Sequence, residues 1–126
     1  MRVFKVRRFG KWARGERIGD CVLCQAATEA FAGQVEADLG GFLFKKRIAR
    51  GGGGKSGGYR TILGFRKSNS ERIVFLLGYA KNLQAALSES ETEALSIAAA
   101  ALTAASDQQI VRLLAFGDVE EVECGK

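Results

Sequence analysis

A chain of 126 residues with 47% apolar and 26% charged side chains has the composition of a globular fold, neither disordered nor membrane-embedded. No apolar run approaches the roughly 18 residues of a membrane span, and the charged start MRVFKVRRFGK lacks the apolar segment of an export signal. Histidine is absent, which excludes a histidine-pair nuclease and leaves shifted Lys, Asp, Glu, Cys or Tyr for acid–base work near neutral pH.

The length matches one domain, taken as residues 1–126, with a core able to close unaided. The net charge of +5 is unevenly placed. Residues 1–20 carry seven Lys/Arg against two acids, and residues 21–44 carry three acids and no base. Residues 45–72 then hold nine Lys/Arg against one acid, and residues 73–126 hold three against eight. A strongly basic centre beside an acidic C-terminal part suits an anionic partner.

In chain order, Val3 to Arg8 reads as a short edge strand and Gly10 to Arg14 as a helical turn anchored by Trp12. Asp20 offers a helix N-cap, and Leu23, Ala27, Ala30 and Phe31 recur at helical spacing until Gly33. After Gly40-Gly41, the run FLFKKRIA predicts a strand from its aromatic and branched residues. The loop GGGGKSGG follows, and YRTILGFRK alternates as a half-buried strand. Ser68-Asn69-Ser70 marks a turn, and RIVFLLGY reads as a central strand covered on both faces, forming a hairpin with the strand before it. Ser88 with Glu91 and Ser106 with Gln109 match capping boxes for two helices, the first reaching about Ala104 and the second stopping at Gly117. The tail VEEVEC either pairs with a sheet edge or stays loose. These elements predict an α+β fold in which a small antiparallel sheet is flanked by helices.

Residues 49–56, AlaArgGlyGlyGlyGlyLysSer, satisfy a relaxed nucleotide phosphate-loop pattern. A true phosphate loop opens a helix, whereas a strand follows here, so nucleotide hydrolysis is disfavoured. A permissive hairpin loop is the plain alternative. Against it, Lys55 lies inside the loop, with Lys45, Lys46, Arg47 and Arg50 before it and Arg60 and Arg66 after it. Cations and backbone amides converging there would seat phosphates. Cys21 and Cys24 have CxxC spacing and Cys124 lies far downstream. With no histidine and no second CxxC, zinc is not expected, and all three are read as small buried apolar residues in a reducing cytoplasm. Glu89, Glu91 and Glu93 are read as offsets to a helix dipole rather than as metal ligands.

The stretch from Asp38 to Lys81 carries DLGG before the basic strand, then KKRIAR, then GKSGGYRT, and the GYAKN that ends the hairpin. With these motifs it resembles RelE-family toxins of the HigB-like branch. The FxxWAR segment, the Asp20 helix and the SDxQ helix extend the resemblance over nearly the whole chain. The resemblance implies a RelE-like toxin fold and the toxin of a type II toxin–antitoxin pair. The activity would be ribosome-dependent, metal-free and cofactor-free cleavage of mRNA by attack of a 2′-hydroxyl on the adjacent phosphate. The expected partners are a cognate antitoxin, of helix-turn-helix type, and mRNA on the ribosome, with no membrane involved.

By motif, Arg60 would clamp the scissile phosphate, Lys81 would assist proton transfer or charge stabilisation, and Lys55 would hold the backbone. Lys45, Lys46, Arg47, Arg50 and Arg66 would bind RNA by charge. Relatives commonly carry an arginine three positions after the lysine, where this chain has Gln84. The alternative on the same scaffold is a non-enzymatic poison or regulator, such as a ParE-like gyrase binder.

Overall fold

The computed structural model of the protein describes residues 1–49, 58–67, 72–80 and 87–125. Along them run β1 (Arg2–Val6), α1 (Arg7–Gly15), α2 (Asp20–Phe31), β2 (Ala37–Gly40), β3 (Leu43–Ile48), β4 (Tyr59–Gly64), β5 (Arg72–Ala80), α3 (Glu89–Ala104), α4 (Asp107–Phe116) and β6 (Val119–Glu121). The strands form a single sheet in the order β2-β3-β4-β5-β1-β6. The α+β class is borne out. The sheet is mixed rather than wholly antiparallel, because β1 lies parallel to β5 while the remaining neighbours are antiparallel.

Strand β5 explains its own composition. Successive strand side chains point to opposite faces. Ile73 and Phe75 enter the core beneath α1 and α2 with Val3, Phe9, Leu23, Leu63 and Phe65. Val74 and Leu76 enter a second core beneath α3 and α4 with Phe4, Leu43, Ile62, Leu95 and Ile110. A strand buried on both sides has no polar face to show, which is why RIVFLLGY reads as apolar throughout.

Two glycines set how closely the helices approach. A Cβ on Gly78 would overlap the Trp12 ring of α1, and one on Gly64 would come within 2.8 Å of Ala99 Cβ on α3. Both capping boxes form: the side chains of Ser88 and Ser106 accept from the amides of Glu91 and Gln109, whose side chains accept in return. Gly117 closes α4 with a φ of 80°, a left-handed conformation that glycine adopts without strain.

Several expectations need correction. The first strand stops at Val6 and lies inside the sheet between β5 and β6 rather than at an edge. The chain turns helical at Arg7, whose amide donates to the Asp118 carbonyl at 3.0 Å and whose guanidinium donates to the Gly117 carbonyl at 3.0 Å. Edge strand β2 had no apolar alternation to announce it, since its pattern ADLG is only half-buried.

The cysteines also depart from expectation. Cys24 and Cys124 form a disulfide across a sequence separation of 100, and Cys21 is free and exposed rather than buried. The pairing depends on β6 bringing the tail back to β1 beside α2, a long-range fold property that spacing does not encode. The cysteines therefore give no support to a reducing compartment.

Candidate nucleic-acid interface

The basic run of β3 is sorted by strand alternation into two groups with different work. Lys46 turns toward α2, where its ammonium is 2.9 Å from Glu29 Oε1 and donates to the Gln34 carbonyl at 2.8 Å. That hydrogen bond from Lys46 is the main reason the Glu29 carboxyl lies below its ordinary range. Lys45 and Arg47 point to the opposite face. Among the described residues neither makes an ion pair, and Arg47 is exposed.

Arg60 of β4 stands directly opposite Arg47 on one side and Tyr79 of β5 on the other. Two like charges paired across strands repel, so this register is unfavourable unless an anion joins them. Half of that compensation is internal. Glu36, just before β2, reaches the Arg60 Nε at 2.6 Å. The other half is not supplied by any described residue. The Arg60 side chain is only 12% exposed, and its Nη1 is buried with no hydrogen-bond partner among the described residues. Buried N–H groups are ordinarily paired, and an unpaired one on a cation is a seat for an anionic acceptor.

Tyr79 completes the row. Burial holds its phenol above the usual tyrosine value, with the nearby Arg60 charge pulling the other way and Glu36 adding to the rise. The hydroxyl thus stays protonated near neutral pH and is a donor beside the guanidinium pair. Neither Glu36 nor Tyr79 was singled out from the sequence. Tyr79 reads as one more apolar residue of a core strand, and Glu36 reaches Arg60 only across β3, from an edge strand the pattern does not reveal.

Arg66 is committed elsewhere. It donates to Thr103 Oγ1 at 2.9 Å and the Ala100 carbonyl at 3.2 Å, and lies 4.2 Å from the centroid of the Phe42 ring. Arg66 therefore ties β4 to α3 and is not brought to the Arg60 row. Arg72 likewise donates to the carbonyls of Leu102 and Ala105 at the end of α3, each at 2.8 Å. Lys55, Arg50, Lys81 and Gln84 lie outside the described residues. Their flanks are described: Ile48 pairs with Tyr59 and Tyr59 with Ala80, so the segments carrying them leave from the Arg60 end of the sheet. The flanks of residues 49–56 are thus two paired antiparallel strands, not the strand and helix of a nucleotide phosphate loop.

Among the described residues no cluster of His, Cys, Asp or Glu is arranged to hold a metal ion. No helix among them is long and apolar enough to cross a membrane. A family model for the RelE toxin of the RelE/RelB toxin–antitoxin system matches residues 1–122. No curated protein matches the chain.

Proposed function

The chain belongs to the RelE toxin family, and from that premise we propose that it is a HigB-like, ribosome-dependent mRNA endonuclease. The observation that carries the reading is Arg60 Nη1, a buried cationic donor with no partner among the described residues, beside a second guanidinium on Arg47. A phosphate diester bridging the two would supply the missing acceptor and relieve their repulsion.

The reaction on this reading is an in-line displacement at phosphorus. A ribose 2′-oxygen loses its proton and attacks the adjacent phosphate, the bond to the 5′-oxygen breaks, and that oxygen takes up a proton. Arg60 stabilises the charge that builds on the phosphorane, a role for a fixed cation that needs no titration. Lys81 assists proton transfer or charge stabilisation, and Lys55 holds the backbone. Lys45, Arg47 and Arg50 bind RNA by charge. Lys46 and Arg66, which the structure ties to α2 and α3, serve that surface by holding its scaffold. No metal or cofactor takes part in the scheme.

As a family toxin the protein has an antitoxin partner. We take that partner to be of helix-turn-helix type and to mask Arg60, Lys55 and Lys81. The site of action is the cytoplasm, where the ribosomes are.

The test is incubation with programmed ribosomes and end-labelled messenger, with free messenger as control. Cleavage on ribosomes only, abolished in Arg60→Ala, is the expected result. An intact messenger alongside inhibited gyrase would replace this reading with the non-enzymatic one.

A further inference from the structure

A disulfide and a free thiol share helix α2. Cys24 is bonded to Cys124, and Cys21, three residues before Cys24 on the same helix, is a free exposed thiol. Residues three apart on a helix are neighbours, with Cβ atoms about 5–6 Å apart. A disulfide requires about 3.5–4.5 Å, so a bond between Cys21 and Cys24 needs the first turn to tighten slightly. That turn has no side-chain cap of its own, although Asp20 in it accepts from the Glu123 amide and pairs with Lys5. Its N-cap is Gly19, with no side-chain cap hydrogen bond, and a Cβ at Gly19 would meet nothing within 4 Å. The far partner is also accessible: Cys124 is exposed, in the irregular tail that follows β6.

We propose that Cys21, Cys24 and Cys124 form a thiol–disulfide exchange site. The Cys21 thiolate attacks Cys24 Sγ, a Cys21–Cys24 bond forms as the Cys24–Cys124 bond breaks, and Cys124 leaves as a thiolate that is then protonated. The proton lost by Cys21 balances the one gained by Cys124, and no external oxidant or reductant is consumed. Exchange unties the tail from α2 at its covalent anchor. The tail is then held by two amide hydrogen bonds, Val122 to the Val3 carbonyl and Glu123 to Asp20 Oδ2, each 2.8 Å, and by the pairing of β6 with β1.

The experiment uses the full chain in its oxidised form. It is held at mildly alkaline pH without added thiol, quenched in acid, alkylated with N-ethylmaleimide after denaturation, digested and mapped by mass spectrometry. The expected result is label on both Cys21 and Cys124, with the Cys124 share rising to a plateau. Label confined to Cys21 at every time would overturn the proposal. A second arm treats Cys124→Ser with oxidised glutathione. Formation of an internal Cys21–Cys24 disulfide is expected, whereas a product that stays as glutathione adducts or free thiols counts against the site. Circular dichroism checks that the variant is folded, and the trapping of the natural chain decides alone if it is not.

Discussion

At the residue scale, the pairing of Arg60 with Glu36 makes distinct predictions for the two side chains. Arg60→Ala removes the buried cation, and losing one pre-aimed donor in other enzymes lowers the rate on the order of a hundredfold or more. Cleavage on ribosomes in Arg60→Ala is therefore expected to fall at least that far, and Arg60→Lys is expected to recover little because an ammonium lacks the planar fork. A rate within threefold of the natural chain in Arg60→Ala would remove this residue from the mechanism. Glu36→Gln acts in the opposite direction on binding. The carboxylate holds Nε of the same guanidinium at 2.6 Å and competes with a phosphate for it. Its neutralisation is expected to tighten RNA binding at low salt and to steepen the logarithmic salt slope by about 0.7, the value for one further phosphate contact on a single strand. Weaker binding, measured by fluorescence anisotropy, would mean that Glu36 is needed to aim Arg60. Gln84→Arg, restoring a cation where relatives carry one, is expected to raise cleavage, and an unchanged rate would place that residue away from the reacting phosphate.

At the element scale, the close contact of α1 with β5 depends on Gly78 lying under Trp12. Gly78→Ala pushes a methyl group into the indole, and overpacking of this kind typically costs about 1–3 kcal/mol. A lowered urea midpoint with an unchanged slope is expected. Ser88→Ala removes the side chain that accepts from the Glu91 amide, a change that typically costs about 1 kcal/mol. The same cap holds the Glu91 carboxyl below its ordinary value, chiefly through hydrogen bonds from the Ser88 backbone and side chain. A group with a lowered folded-state pKa contributes stability above its unfolded pKa and loses it as the pH falls through the folded value. Ser88→Ala keeps the backbone amide that is the larger cause and loses only the hydroxyl's part, so the natural chain should lose slightly more stability than the variant on acidification below about pH 4.5. Elements of this kind were legible because their signals are local. The capping boxes, Gly117 and the apolar β5 can each be read within a few neighbouring residues. What was not legible rests on partners far along the chain: β2 has meaning only against β3, β1 enters the sheet by pairing with Arg72–Phe75, and Cys24 meets Cys124 only after β6 has returned. The site divides the same way. The basic strand and Arg60 stand out in sequence, whereas Glu36 and Tyr79 become neighbours of Arg60 only through cross-strand register.

At the scale of the whole molecule, folding narrows the cationic surface that the sequence suggests. Four of the seven bases in residues 1–20 are engaged by acids: Arg2 with Glu121, Lys5 with Asp20 and Glu120, Arg7 with Asp118, and Arg14 with Glu120. The N-terminal block and the acidic tail thus largely neutralise each other around β1 and β6. In the central block, Lys46, Lys67 and Arg72 are paired with Glu29, Asp38 and Asp107. In that block the described bases left to meet a polyanion are Lys45, Arg47 and the unpartnered side of Arg60, gathered on one sheet face, whereas Arg8, Lys11, Arg17 and Arg112 are exposed elsewhere on the molecule with no ion pair among the described residues. This predicts which lysines and arginines govern RNA binding. Each phosphate neutralised on a single strand contributes about 0.7 to the slope of log affinity against log salt. Replacing Lys45 and Arg47 together by Ala should reduce the slope by about 1.4 on that basis. Arg2→Ala with Arg14→Ala should leave it nearly unchanged, although the same number of positive charges is lost. Lys46→Ala separates the two roles within a single strand. Its ammonium is buried against Glu29 and Gln34, so its removal should lower the unfolding midpoint while the salt slope stays within about 0.2 of the natural value. A slope that falls equally in the Arg2/Arg14 and Lys45/Arg47 variants would mean that RNA senses only the net charge of the protein, and the Arg60 row would lose its claim to be the contact surface.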